Sequence, residues 1–231
     1  MRLPARLCKG RFITRLNRFA CLARLDIDGR TVMAHIANSG RMRELLEPGN
    51  RVCLAPASEN GRKTAFSLTL VDTGDTFVSV DARLPSMLVS EAVEAGRLTP
   101  FQSWLVLRHE IVIGESRLDL LLQQAGKLCY VETKSVTLVE NGTGLFPDAP
   151  TRRGSKHLRS LAATHEAGHR AAAVFVIQRE DCKRFSPNDV TDSDLGQSLR
   201  TAARAGVEVY AYCCHVDCKS IEIISPVEVV L

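Results

Sequence analysis

The sequence predicts a mixed α+β protein in two parts, a small β-barrel in residues 1–82 and a mixed-sheet domain in residues 83–231. Short strand patterns broken by turn residues fill the first part, and helical and strand patterns follow one another in the second. The 231 residues are 45% hydrophobic and 24% charged, which is ordinary for a globular chain and excludes a wholly disordered one.

The first part is typical of a five-stranded barrel because its strand patterns are short and closely spaced. The predicted strands are Arg11–Asp26, Thr31–Ile36, Arg51–Pro56, Thr64–Asp72 and Thr76–Val80. The turn signals are Asp28-Gly29, Asn38-Ser39-Gly40, Pro48-Gly49, Asn60-Gly61 and Thr73-Gly74. Within this region, Arg41–Leu46 is predicted to form a helical turn.

The second part begins with a predicted helix that Ser86 caps and Gly96 ends. Three strands, a helix, a strand, a helix and two strands follow, in an order that predicts a mixed sheet flanked by helices. The strands are predicted over Trp104–Ile113, Arg117–Gln123, Lys127–Thr137, Ala171–Gln178, Val207–Cys213 and Ser220–Ile224. The helices are predicted over Gly154–Glu166 and from Asp192 or Ser193 to Ala205.

Positive charge is concentrated near the N-terminus. Residues 1–80 hold 13 Lys and Arg against 7 Asp and Glu, whereas the whole chain has a formal net charge of +4. Such an end attracts a polyanion, so nucleic acid is the favoured partner. An organellar transit segment and a solvated strand face are the open alternatives. The alternation of basic or polar with apolar residues over Arg11–Phe19 favours a strand.

Membrane spans and disulfides are not expected. No uncharged apolar run approaches the ~20 residues that cross a bilayer. The eight cysteines lack the paired spacing of a disulfide framework, and the N-terminus shows no apolar secretory segment. Reduced thiols in a cytoplasmic protein are the simpler interpretation.

The candidate chemistry lies on a predicted hairpin. If Ala125-Gly126 is its two-residue loop, the register puts Asp119 opposite Glu132. Two facing carboxylates require a cation, and Mg²⁺ takes such oxygen ligands. Lys134 shares a strand face with Glu132, where its ammonium could steady an attacking water or a phosphate charge. The pattern suits phosphodiester hydrolysis, and a solvated hairpin face is the open alternative.

Several longer stretches are more specific than any short motif. They are Tyr130–Leu138, Leu145–Thr151, Arg153-Gly154, Lys156–Leu158, Asn17–Phe19, Asn38–Met42 and Gly168–Ala172. On these stretches the chain resembles the sugar fermentation stimulation protein family of bacteria and archaea, nearly from end to end. The resemblance implies an N-terminal OB-like barrel and a restriction-endonuclease-like α/β domain similar to the PD-(D/E)xK nucleases. It also implies DNA binding without marked sequence preference and a regulatory link to sugar (maltose) metabolism.

The nuclease pattern implies the alternative function, a nuclease that acts on DNA or RNA. Its catalytic residues are Asp119, Glu132 and Lys134, and the two carboxylates hold Mg²⁺ or Mn²⁺. Glu91 of the first helix, or Glu110 on the next strand, is the candidate that completes the site. The residue between Glu132 and Lys134 is more usually aliphatic in the family, and here only its backbone is expected to face the metal. Binding-only members of the superfamily leave turnover open.

Basic residues near the hairpin and in the barrel are the candidate phosphate contacts, with a solvated surface as the alternative. They are Arg15, Arg18, Arg41, Arg43, Arg152, Arg153, Lys156 and Arg159. Two metal patterns are weaker. His165 and His169 are four apart, but Gly168 is expected to end their helix, and Cys213–Cys218 has ligands for zinc but sends adjacent cysteines to opposite faces. Trp104 is predicted to lie in the core.

Overall fold

The computed structural model describes residues 1–57 and 64–231, so the predicted Asn60-Gly61 turn lies outside the described residues. The first six strands are β1 (Cys8–Asn17), β2 (Ala20–Leu25), β3 (Thr31–Ile36), β4 (Arg51–Pro56), β5 (Phe66–Asp72) and β6 (Phe77–Ser79). They pair in the order β3-β2-β1-β4-β5-β6, and β3 also pairs with β5. This second pairing closes a five-stranded barrel, as predicted.

One predicted strand is a hairpin. The pattern over Arg11–Asp26 predicts a single strand, but β1 and β2 pair antiparallel around a turn at Arg18 and Phe19. The side chain of Asn17 accepts the backbone N–H of Phe19 at 2.9 Å and so stabilises this turn. Because no Gly or Pro stands between the two strands, the sequence pattern does not mark the break.

The predicted helical turn at Arg41–Leu46 packs into the core of the barrel. The backbone N–H of Leu46 donates to the carbonyl oxygen of Met42 at 2.9 Å. The side chains of Met42 and Leu45 are fully buried in the barrel core.

The remaining residues form helices on both faces of a sheet. The elements are α1 (Leu84–Glu94), β7 (Leu105–Ile113), β8 (Ser116–Gln124), β9 (Lys127–Val136), β10 (Val139–Glu140), β11 (Thr143–Phe146), α2 (Arg152–Glu166), β12 (Arg170–Ile177), β13 (Arg184–Pro187), α3 (Asp189–Arg204), β14 (Glu208–Val216), β15 (Ile221–Pro226) and β16 (Glu228–Val229). The main sheet has the order β15-β14-β12-β9-β8-β7. Strands β9, β12 and β14 are parallel and the outer pairings antiparallel, which confirms the predicted mixed sheet.

The two faces of the central strand β12 pack against different helices. Ala172 and Val174 lie in a core with α1, whereas Ala173 and Phe175 lie in a core with α2 and α3. A strand buried on both faces carries apolar residues without alternation, as the predicted run from Ala171 shows. Helix α1 therefore lies on the face opposite to α2.

The helix ends differ in part from their prediction. Ser86 does not cap α1, which begins two residues earlier with Pro85 in its first turn. Thr151 caps α2 by accepting the N–H of Gly154 at 3.1 Å. Asp192 interrupts α3 and accepts the N–H of Leu195 at 3.0 Å, so it caps the main part of that helix as predicted. No helix in residues 1–57 and 64–231 has the length and apolar character needed to cross a bilayer.

A second, smaller sheet was not predicted. Its order is β10-β11-β13-β16, and its strands have two to four residues each, too few to show a periodic pattern. The chain leaves β11 through the segment 147–150, in which Asp148 accepts the backbone N–H of Met42 from the barrel region at 2.9 Å. Gln178, at the end of β12, also contacts the barrel region, since its carbonyl oxygen accepts the N–H of Ser79 at 3.0 Å.

Candidate active site

The hairpin of β8 and β9 has the predicted two-residue loop. Both residues of Ala125-Gly126 have positive φ, +47° and +80°, as a type I′ turn requires. The strands keep the predicted register from this loop as far as Leu120 and Val131. The ladder ends there, so Asp119 and Glu132 do not form the predicted β pair.

Asp119 is held by Thr133 beyond the end of the ladder. Its Oδ2 accepts the backbone N–H of Thr133 at 2.8 Å and the hydroxyl at 2.6 Å. The side chain of Thr133, which was given no part in the prediction, therefore orients this carboxylate. Burial raises the pKa of Asp119, and the nearby charge of Glu132 raises it further. The hydrogen bonds from Thr133 lower this pKa, but they do not outweigh the other two effects.

Glu132 is a buried carboxylate with one oxygen satisfied. The residue is only 2% exposed. Lys134 Nζ and His157 Nδ1 both contact its Oε1. Within the described part of the chain, Oε2 is buried without a hydrogen-bond partner. Burial alone would raise the pKa of Glu132, but the His157 and Lys134 contacts outweigh burial and lower it. The charged form is favoured although Oε2 is unsatisfied.

His157 was not among the predicted site residues. It lies on α2, is 4% exposed, and accepts a hydrogen bond on Nε2 from Arg153 Nε at 3.3 Å. A lone pair on Nε2 places the ring proton on Nδ1, which then donates to Glu132. The available signal was the four-residue spacing from Arg153, which puts both side chains on one helix face.

Neither candidate for a third acid joins this network. Glu91 lies on α1, on the opposite face of the sheet, and its carboxylate pairs with the N-terminal ammonium of Met1 at 2.8 Å. Glu110 lies on β7, next to β8, but its side chain is 65% exposed and lies 3.6 Å from Arg117. The expectation that Glu91 completes the site is wrong, because the helix that carries it covers the other face.

Asp119 and Glu132 are the oxygen donors that the site offers to a cation. Among the described residues, no three or more His, Cys, Asp and Glu side chains form a ready metal site. Mg²⁺ does not need one, because it binds through one or two carboxylates and completes its shell with waters and substrate phosphates. The unpartnered Oε2 of Glu132 fits such a hard cation.

A cleft of about 320 Å³ lies between the barrel and the end of β9, and Thr133 and Lys134 line it, whereas Asp119 and Glu132 do not. We call it the site cleft. Arg18 and residues 38–40 line it from the barrel, Thr133 to Thr137 from β9 and its end, and residues 145–151 with Arg153 from the remaining side. Two of the predicted DNA contacts, Arg18 and Arg153, therefore meet Lys134 in one cleft.

Two other predicted contacts are engaged elsewhere. The guanidinium of Arg15 donates to the carbonyl oxygens of Gly40 at 2.8 Å and Arg41 at 2.7 Å. It holds the β1–β2 turn against the neighbouring loop. Lys156 Nζ pairs with Glu115 at 2.9 Å.

The remaining four predicted contacts border two outer grooves. Arg41 and Arg43 line a groove of about 590 Å³ beside the start of α3. Arg152 and Arg159 line a groove of about 860 Å³ between α2 and α3. All four residues are exposed, so the structure does not gather the eight basic residues on one surface.

The weaker metal patterns do not form. Helix α2 ends at Glu166, so His165 and His169 do not share a helical face. Cys213 and Cys214 lie in the two cores on opposite faces of the sheet. Trp104 is buried in the core, as predicted.

Comparison with known proteins agrees with this two-part fold. Residues 13–80 match the SfsA N-terminal OB domain, and residues 83–220 match the Sugar fermentation stimulation protein RE domain. A sugar fermentation stimulation protein homolog from Moorella thermoacetica is 52% identical over 231 residues, which cover 99% of each chain. One from Caldanaerobacter subterraneus is 42% identical over 225 residues, covering 97% of each.

A solved structure, that of Pyrococcus furiosus SfsA in complex with Ca²⁺, is also similar. It has a TM-score of 0.92 and 29% identity, with 100% of this chain and 98% of that chain covered. The chain belongs to the sugar fermentation stimulation protein family.

Proposed function

We propose that this chain binds DNA without marked sequence preference and hydrolyses its phosphodiester bonds with a divalent cation. The arrangement at Glu132 carries the proposal. Lys134 and His157 occupy Oε1, while Oε2 is buried and unpartnered near Asp119. A buried charged oxygen without a partner is costly, and a bound cation would remove that cost.

The residues divide the chemistry between them. Mg²⁺ or Mn²⁺ held by Asp119 and Glu132 would lower the pKa of an attacking water and neutralise charge on the phosphate. Lys134 lines the site cleft and its ammonium contacts Oε1 of Glu132, where it can stabilise negative charge that develops beside the carboxylates. Thr133 orients Asp119, and His157 orients Glu132. The Ca²⁺ in the Pyrococcus furiosus relative, an oxygen-seeking divalent cation, supports a divalent site here.

DNA is the proposed substrate, and RNA is the alternative substrate that the experiment below compares with it. Arg18 and Arg153 line the site cleft and can contact backbone phosphates, which position a nucleic acid without reading its bases. The excess of basic residues in residues 1–80 would draw a polyanion towards this end.

Cleavage assays test the proposal. Wild-type protein is incubated with single-stranded DNA, with plasmid DNA and with an RNA transcript, in Mg²⁺, Mn²⁺ or EDTA. We expect metal-dependent cleavage that slows at least ~100-fold in Lys134→Met and Asp119→Asn. Lys156→Met is the matched control, because Lys156 pairs with Glu115 outside the site cleft and should retain activity. Cleavage that survives both site substitutions would contradict the proposal.

The second candidate function is DNA binding without hydrolysis, in the regulation of sugar (maltose) metabolism. The exposed arginines on the outer grooves favour it, since they lie away from the carboxylates. A cytoplasmic location suits this role and the eight free cysteines. DNA binding without cleavage in any metal, together with altered transcripts of sugar-use genes after deletion, would favour this candidate.

A further inference from the structure

We infer that the site cleft admits a single, unpaired DNA strand and that Phe19 is the platform on which one of its bases stacks. The inference rests on the proposed function, because it names the form of DNA that reaches Asp119 and Glu132. It concerns the barrel side of the cleft, which carries none of the proposed hydrolytic residues.

The size of the site cleft is the first argument. Its volume, about 320 Å³, lies at the lower end of the range of roughly 300–1,000 Å³ for pockets that bury small ligands. Such a volume suits one nucleotide unit of an extended strand. A duplex, whose major groove alone is roughly 12 Å wide and 8.5 Å deep, is too large for a space of this volume.

The walls of the site cleft are fixed to each other. The Asp148 carboxylate accepts the backbone N–H of Met42 at 2.9 Å, and Gln178 accepts the N–H of Ser79 at 3.0 Å. These two bonds join the barrel region to the sheet domain. Widening the cleft for a duplex would break these hydrogen bonds, which a single strand leaves in place.

Charge inside the site cleft suits a phosphate backbone. Arg18, Lys134 and Arg153 line it from three different elements. Asp148 adds one carboxylate, which accepts the backbone N–H of Met42, so three cationic side chains stand against one acidic side chain in this lining. A strand can therefore run along cationic groups from Arg18 on the barrel side to Lys134, whose ammonium contacts Glu132.

Phe19 supplies the second argument. Its side chain is 49% exposed at the β1–β2 turn, and the guanidinium of Arg18 lies 5.9 Å from its ring centre. Arg15 bonds this turn to the loop at Gly40 that lines the site cleft. Phe19 does not itself line the cleft, but it directly follows Arg18, which does. An exposed ring beside a cation of a basic cleft is the combination with which proteins stack single-stranded bases.

Fluorescence anisotropy tests the inference in EDTA, where metal-dependent cleavage is absent. The probes are a labelled oligothymidine, a duplex of equal length and an oligouridine. We expect wild type to bind the oligothymidine at least tenfold more tightly than the duplex. Phe19→Ala should weaken this binding roughly 5- to 150-fold, and Phe19→Tyr should restore it. Met33→Ala is the control, because Met33 is an exposed apolar residue of the barrel outside the site cleft.

Photo-cross-linking tests the contact between a base and Phe19 in the wild-type protein. An oligonucleotide with 5-iodouracil should cross-link to Phe19, as mapped by mass spectrometry. Tighter binding of the duplex, unchanged binding in Phe19→Ala, or a cross-link only elsewhere would overturn the inference. The cleavage assay with Lys134→Met would still stand as the test of the proposed function. Tighter binding of oligouridine would overturn the choice of DNA, and failure to bind any probe would overturn the inference and the proposed function together.

Discussion

The carboxylate of Asp148 accepts a hydrogen bond from the backbone N–H of Met42 at 2.9 Å, across 106 residues of chain. A Cβ on Gly40 would lie 2.5 Å from both oxygens of the same carboxylate. The stretches Asn38–Met42 and Leu145–Thr151, two of those on which the resemblance to the family rests, therefore meet in space. Their contact builds the wall of the site cleft that joins the barrel to the sheet domain.

The Gly40 contact gives the first prediction. Gly40→Ala should destabilise the protein because its Cβ has no room beside Asp148, and Asp148→Ala should cost about 1–3 kcal/mol through the unpaired Met42 N–H. In the double variant the clash is absent, so Gly40→Ala should add little to the effect of Asp148→Ala. Urea unfolding of the four proteins measures this coupling. Additive effects would show that Gly40 and Asp148 act independently.

Removal of His157 should weaken cation binding. His157→Ala takes away one contact that orients Glu132, and the loss of such a partner typically weakens metal affinity ~10- to 100-fold. His157→Asn keeps a donor near the position of Nδ1 and should recover part of the affinity. Titration with Mn²⁺, followed by electron paramagnetic resonance, measures the change. His169→Ala is the control outside the site, and equal affinities in all four proteins would contradict the prediction.

Binding to DNA should weaken with salt in proportion to the number of phosphates neutralised. Arg18→Gln should reduce the slope of log affinity against log salt by about one, because it removes one phosphate contact in the site cleft. Lys156→Gln should change the slope less, since Glu115 already pairs with this lysine. Anisotropy titrations at several salt concentrations measure both slopes, and equal losses would remove the special role of Arg18.

The pair of Arg170 and Glu208 should make stability depend on pH. Arg170 donates to Glu208 from Nε at 2.9 Å and from Nη2 at 2.7 Å, and Tyr210 donates at 2.7 Å. Burial by itself would raise the pKa of Glu208, but these bonds outweigh it and lower the pKa. A lowered folded pKa adds stability above the unfolded value of about 4.3, and that stability is lost as the pH falls through the folded pKa.

Glu208→Gln isolates this contribution. The difference in unfolding free energy between wild type and Glu208→Gln should be largest near neutral pH. It should shrink as the pH falls below about 4. Denaturant unfolding across this pH range measures it, and a difference that grows towards acid pH would reverse the assigned sign.

Local sequence patterns determined most elements of this protein and part of its site. The Ala125-Gly126 loop set the register of β8 and β9, because a two-residue loop leaves one pairing. Glu132 and Lys134 were placed on one face because side chains alternate along a strand. The apolar run of β12 marked a central strand, since both of its faces are buried.

Only the tertiary structure decided which helix meets the carboxylates. Helices α1 and α2 cover opposite faces of the sheet, so Glu91 is kept away from Glu132 and His157 is brought to it. The contact of Asp148 with Met42 joins positions far apart in the chain, and no local period encodes it. Periodicity shows which side of an element is apolar, whereas the packing of whole layers decides what that side touches.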